Sequence, residues 1–162
     1  MPFGVIDLIR SKTLEFRKEL RMKASDLLHA RDGKLFVEEA FLTIAVCAAK
    51  LDDKAGFDYT TRIVTLAKAH PVFANITKDI ERRVYLIANA LTIGDWEEFI
   101  DLAVKSLPTE LKETALTWAA DIVRDQEVRV EKKRDFLDNL ATKLSIDNNV
   151  AAEIIDVRAS RN

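Results

Sequence analysis

The chain is poor in the residues that punctuate and cross-link a fold. Only four of its 162 residues are Gly and three are Pro. That is too few to turn a meander of short strands, so an all-β fold is excluded and long helices are expected. A single cysteine, Cys47, rules out an internal disulfide. It lies in the apolar run Phe41-Leu42-Thr43-Ile44-Ala45-Val46-Cys47-Ala48-Ala49, where a thiol behaves as a small hydrophobe. No apolar run approaches the roughly twenty residues of a membrane span, and no signal-peptide pattern is present, so the cytoplasm is the expected compartment. Positive charge is not in excess either. The net charge is −2, and phosphate binding needs a concentrated basic surface, so nucleic acid is not an expected partner.

What is present is a mixture of 48% hydrophobic and 32% charged residues, the balance of a folded domain whose helices carry ionised outer faces. The length suits one domain over residues 1–162. Within it, residues 1–34 are expected to form an N-terminal amphipathic helix and residues 35–162 the helical core. The N-terminal stripe is Ile6, Ile9, Thr13, Phe16, Leu20, Ala24 and Leu27 at three- and four-residue steps. Residues 1–34 hold eight Lys and Arg against five acids, a local +3 that leaves −5 for the remainder. Such a stripe reads as a dimer seam, as a membrane-surface helix, or as a helix packed on its own domain.

Beyond the break Arg31-Asp32-Gly33-Lys34, the spacing predicts helices over about 35–51, 58–69, 76–94, 95–106, 107–122, 129–144 and 148–158. With the N-terminal one this makes an all-α bundle of about eight helices. The second helix, apolar on every side after Ala40, is expected at the centre. Asp95 and Asp147 are the expected N-caps of the helices they precede. Trp96 and Trp118 are expected as core anchors. His70, ahead of Pro71, reads as a helix-end residue and His29 as a surface residue, and neither lies at metal-ligand spacing from an acid or Cys47.

No nucleophile elbow, phosphate loop or catalytic constellation is present, so a non-enzymatic protein is expected. The suggestive group is four carboxylates around one interhelical turn, Asp121, Asp125, Glu127 and Glu131. Asp121 and Asp125 are four apart and share a face, and Glu131 falls in the first turn of the next helix. Carboxylates at a helix C-terminus oppose the macrodipole by about 0.3–1 kcal/mol, a cost that a hard cation would reverse. The competing reading is surface ion pairing with Arg124, Arg129, Lys132, Lys133 and Arg134. An EF-hand is excluded, because the Gly and Glu its loop requires are missing. Asp52 and Asp58 repeat the separation of Asp125 and Glu131 at an offset of 73 residues. The echo points to two related helical halves, or to the shared grammar of helical hairpins.

The stretches Leu107-Pro108-Thr109-Glu110-Leu111-Lys112-Glu113-Thr114-Ala115-Leu116 and Trp118-Ala119-Ala120-Asp121-Ile122-Val123-Arg124-Asp125, with Glu131 through Ile146, resemble the TerB-like tellurite-resistance family. The family pattern is an Ala-rich helix ending in Asp-Gly, an acid about six residues after the Asp, and a helix closing on Leu-x-Ile. Here those places hold Asp125, Glu131 and Leu144-Ser145-Ile146, with Gln126 where the Gly would stand. The echo over 40–66 puts Asp52 in the Asp place, Asp53 in the Gly place and Asp58 in the later acidic place. The resemblance implies a compact bundle of two related halves and a non-enzymatic stress or tellurite-resistance module. Its partners would be other proteins of a stress-response system, some membrane-associated. It implies a divalent cation held by Asp121, Asp125 and Glu131, with Asp52 and Asp58 as a second place. Oxygen ligands favour calcium, magnesium or manganese over zinc. The alternative is a metal-free helical interaction scaffold, with a homodimer among its forms.

Overall fold

The computed structural model describes residues 27–28, 30–52 and 58–159, and over them the chain is all-α. Seven α-helices follow one another: α1 Val37–Ala49, α2 Asp58–Lys68, α3 Ile80–Ile93, α4 Trp96–Ser106, α5 Thr109–Arg124, α6 Val130–Lys143 and α7 Asn148–Ala159. A 3-10 helix, Pro71–Ile76, stands between α2 and α3. The expected N-terminal helix over 1–34, with His29, lies outside the described residues except for Leu27, Leu28 and 30–34, and of these 31–34 form a turn and not helix.

Local chemistry sets the boundaries. The break before α1 is a tight turn in which Arg31 and Lys34 exchange main-chain hydrogen bonds of 2.9 and 3.0 Å. Asp32 and Gly33 take φ of 54° and 73° there, the left-handed pair that such a turn needs. Asp95 Oδ1 accepts from the Glu97 N–H at 2.9 Å, and Asp147 Oδ1 from the Asn149 N–H at 2.9 Å, so both expected caps are made.

The segment after His70 differs from its expectation. The stripe Ile76, Ile80, Val84, Ile87 and Leu91 places a helix start near Ile76, but regular α-helix begins only at Ile80. Pro71 offers no N–H, and His70 Nδ1 accepts from the Val72 N–H at 3.2 Å. The Phe73 N–H then bonds the His70 carbonyl at 3.1 Å, and this tight start forms a 3-10 helix. Ile76 and Ile80 keep their four-residue spacing across the join, which is why periodicity alone misses the change.

The core is organised on α1, whose residues Ala40 through Ala49 are all buried. It packs against α3, α4 and α5, while α5 packs in turn on α2, α6 and α7. At one end of α1, Phe41 meets Phe73, Trp118 and His70 at ring separations of 6.1, 5.1 and 5.8 Å. Phe73 and Trp118 stack at 5.7 Å and 15°. Burying each of these large side chains stabilises the fold by about 1.5–3 kcal/mol, which makes the cluster the anchor of the α1–α5 contact. Trp96 is only half-buried at the core's edge, so Trp118 is the stronger of the two expected anchors.

The two triplets α1–α2–α3 and α5–α6–α7 share a plan. In each, the first helix packs on the second and third, and the second on the third. Helix α4 lies between them in sequence and rests on α1. Burial registers the second helices, α2 and α6, at an offset of 74, which aligns Ile63 with Leu137 and Ala67 with Ala141, all buried. The acidic pairs alone give 73, one residue out of phase with the packed faces.

Candidate functional site

The two acidic turns follow equivalent helices, α1 and α5, and because those helices pack together the turns face each other. The carbonyls that end α1 have no basic residue in the last turn, and beyond the local N–H groups of Lys50 and Leu51 they draw further donors from elsewhere. Helix α5 and its turn supply them. Gln126 Nε2 donates to the Ala48 carbonyl. Gln126 Oε1 accepts from the Asp52 N–H at 2.8 Å, and Lys132 Nζ donates to the Leu51 carbonyl at 3.0 Å. A primary amide carries both donor and acceptor, so one side chain satisfies both main-chain groups.

The traffic also runs the other way. Arg62 on α2 reaches across to α5, with Nη1 2.6 Å from Asp125 Oδ2 and Nη2 donating to the Asp121 carbonyl at 3.3 Å. Arg124 Nε lies 3.3 Å from Asp125 Oδ1, and Lys133 Nζ donates to the Arg124 carbonyl at 2.9 Å. The Asp125 carboxylate and the carbonyls of Ala48, Leu51 and Asp121 are therefore met by side chains from neighbouring elements.

The expected ligands are distributed as follows. Asp121 is half-buried on the last turns of α5, with its main-chain oxygen turned to Arg62. Asp125 ends α5 with its carboxylate between Arg62 and Arg124. Glu131 is exposed on the first turn of α6. Asp52 is half-buried, tied by its N–H to Gln126. Asp58 opens α2, its side chain outside the described part of the structure, and Asp53 lies outside the described residues. Among the described residues, no group of three or more His, Cys, Asp or Glu is placed to hold a metal ion. Asp121, Asp125 and Glu131 thus occupy neighbouring elements without converging as a three-carboxylate set.

Gln126 and Arg62 are the residues that sequence reasoning missed as members of this site, while Lys132, expected to pair with the acids, instead donates to the Leu51 carbonyl. The signal for Gln126 lay in the burial register, because an offset of 74 sets it against Asp52, its hydrogen-bond partner. Arg62 leaves its Nε buried and without a hydrogen-bond partner, as is the hydroxyl of buried Thr60 two residues before it on α2.

Two further groups bear on chemistry. Burial pushes the Cys47 thiol up to about 12, so it stays protonated and unreactive at neutral pH, in line with its reading as a small hydrophobe. His70 uses Nδ1 as an acceptor at the start of the 3-10 helix and sets its ring edge-on to Trp118 at 5.9 Å. It closes the end of α2, as the sequence placed it, through its N–H to the Ala67 carbonyl at 3.1 Å, and it also caps and packs the start of the 3-10 helix. Among the described residues, no helix is long and apolar enough to cross a membrane. Comparison with family models, curated proteins and solved structures finds no match to this chain.

Proposed function

We propose that this chain is a non-enzymatic, TerB-like stress-response module that works as a metal-free helical interaction scaffold. The observation that supports this reading is the reciprocal clasp of the two acidic turns. Arg62 already meets the Asp125 carboxylate and the Asp121 carbonyl, and Gln126 and Lys132 meet the Ala48 and Leu51 carbonyls. A clasp of this kind fixes α1 against α5 and leaves the outer helix faces to meet other proteins. Tellurium oxyanions are negative and would be repelled by these carboxylates, so a role in tellurite resistance would be indirect.

A second reading, a divalent cation at Asp121, Asp125 and Glu131, is favoured by one feature. The Asp125 carboxylate and the Asp121 carbonyl already converge on a single cationic group, the Arg62 guanidinium. Calorimetric titration of chelator-treated protein with calcium, magnesium, manganese and zinc separates the two. The scaffold reading expects no binding at millimolar cation. Heat that disappears in the Asp125→Asn, Glu131→Gln double variant would establish the cation reading instead. A complementation assay bears on the role itself. Cells lacking the protein should be sensitised to tellurite or oxidative stress, and the double variant should restore resistance as wild type does. Unchanged resistance in the deletion strain would remove the stress-module assignment.

A further inference from the structure

Leu27 is the last member of the N-terminal apolar stripe and the point at which that segment meets the described fold. It has helical conformation. Its Cδ1 lies at the C-terminal end of α3, 3.1 Å from where a Cβ on Gly94 would stand, and Leu28 beside it is buried in the core. The segment is therefore anchored to the fold at a fixed place.

A groove opens beside that place. Leu27 and Leu28 form one wall, and Leu86 and Ile87 of α3 form another, with Arg82 and Arg83 one turn farther from Gly94. Leu86 remains 53% accessible although it borders the groove. The arginines are engaged locally. Both bond Asp79, and Arg83 Nη1 lies 2.9 Å from Glu39 Oε1. With those charges already paired, the groove selects an occupant by apolar contact more than by charge.

The stripe upstream of Leu27 is such an occupant, and the tether favours it over any free partner. A segment held at the groove's edge is present there at millimolar or higher effective concentration and does not pay the full cost of association. Helical continuation from Leu27 back along α3 sets Leu20 beside Leu86 and Ile87. Phe16 then falls one turn farther, at Arg82 and Arg83, where a ring can lie on a guanidinium plane. Ala24 comes between Leu20 and Gly94, where a small side chain allows close approach. Glu15, Lys18 and Ser25 fall on the opposite side of the same helix, toward water. The lengths also agree, since α3 has 14 residues and a helix over residues 13–26 spans the same ~21 Å.

We infer that residues 13–26 dock in this groove of their own chain as an amphipathic helix parallel to α3, with Leu20 against Leu86 and Ile87 and Phe16 against Arg82. The stripe is then an intramolecular cover and not a seam between copies. This contact is separate from the clasp of the acidic turns and does not depend on the function proposed for them.

Cysteine cross-linking in the full chain tests both placement and register. Cys47 is buried and stays protonated, so it does not compete. Leu20→Cys with Leu86→Cys should close a disulfide within one chain under mild oxidation, seen as a monomer of raised mobility on a non-reducing gel. Phe16→Cys with Ile93→Cys uses the same two faces about 15 Å out of register and should not close. Hydrogen exchange supplies a readout without added thiols. Leu86→Glu should speed amide exchange over residues 13–26 roughly tenfold or more, the effect of losing one buried leucine contact, and leave α7 unchanged. A Leu20–Leu86 pair that links only between two chains overturns the inference in favour of a seam between copies. Equal linkage of the two pairs, linkage of neither, or exchange over 13–26 as fast in wild type as in Leu86→Glu overturns it as well.

Discussion

Arg62 Nη1 stands 2.6 Å from Asp125 Oδ2, joining α2 of the first triplet to the end of α5 in the second. The contact is short, but both side chains are partly open to solvent, at 38% and 48%. Water screens such a pair and side-chain ordering costs part of its gain. Asp125→Asn should therefore lower stability by only about 0–1 kcal/mol, and less at high salt. Urea unfolding of wild type and variant at two ionic strengths checks this. A loss that is large and insensitive to salt would mean that the carboxylate does more than pair with the arginines.

Gln126 should matter more, although it carries no charge. Its amide holds the Asp52 N–H and the Ala48 carbonyl in a part-buried join, and a buried main-chain group left unpaired costs about 1–3 kcal/mol. Gln126→Ala is expected to cost that amount. Gln126→Gly, which restores the residue of the resembled pattern, should be no better, because the join would still lack its amide. Gln126→Glu keeps the acceptor for Asp52 and sets a carboxylate against the Ala48 carbonyl, so it should be at least as destabilising as alanine. The ordering is read from chemical-denaturation midpoints. Wild-type stability in Gln126→Gly would show that the turns are held together by something else.

These two sites show what a single sequence carries. Helices and their caps are local matters of spacing and residue type, so α4 with Asp95, α7 with Asp147 and the buried α1 could be read directly. The acidic turn at Asp125 could also be found, because four carboxylates sit within eleven residues of one another. Its partners could not, since Arg62 meets it across 59 residues and its own Gln126 meets Asp52 across 74, contacts that exist only once the first triplet lies on α5. The acids repeat at 73 and the buried faces of α2 and α6 at 74. Charge pattern on exposed turns tolerates a slip of one residue, and interlocked side chains do not.

Gly94 is required for space and not for backbone freedom. Its φ of −94° and ψ of 176° are open to any residue, but a Cβ there would lie 2.1 Å from the Phe99 ring and 3.1 Å from Leu27. Phe99 is fully buried and cannot swing aside. Gly94→Ala is expected to cost about 1–3 kcal/mol through overpacking. Combining it with Phe99→Leu should give less than the sum of the two single losses, a coupling that a double-mutant cycle measures. Strict additivity would separate the cost from the ring.

Acid stability should depend on Asp79, the residue before α3. Hydrogen bonds from Arg82 and Arg83 hold its carboxyl far below the usual carboxylate range. Arg83 continues to Glu39 on α1 at 2.9 Å, so the carboxylate orders a contact between α3 and the central helix. A carboxyl whose native pKa is depressed contributes stability at pH values above its unfolded pKa, about 3.9. That contribution is lost as the pH falls through that value toward the native one. Asp79→Asn removes the contribution at neutral pH, so the variant should be less stable than wild type there. It should also lose less of its remaining stability between about pH 5 and pH 2, so the two curves converge in acid. Urea midpoints across that range decide the matter, and curves that stay parallel down to the acid limit would detach Asp79 from the acid transition.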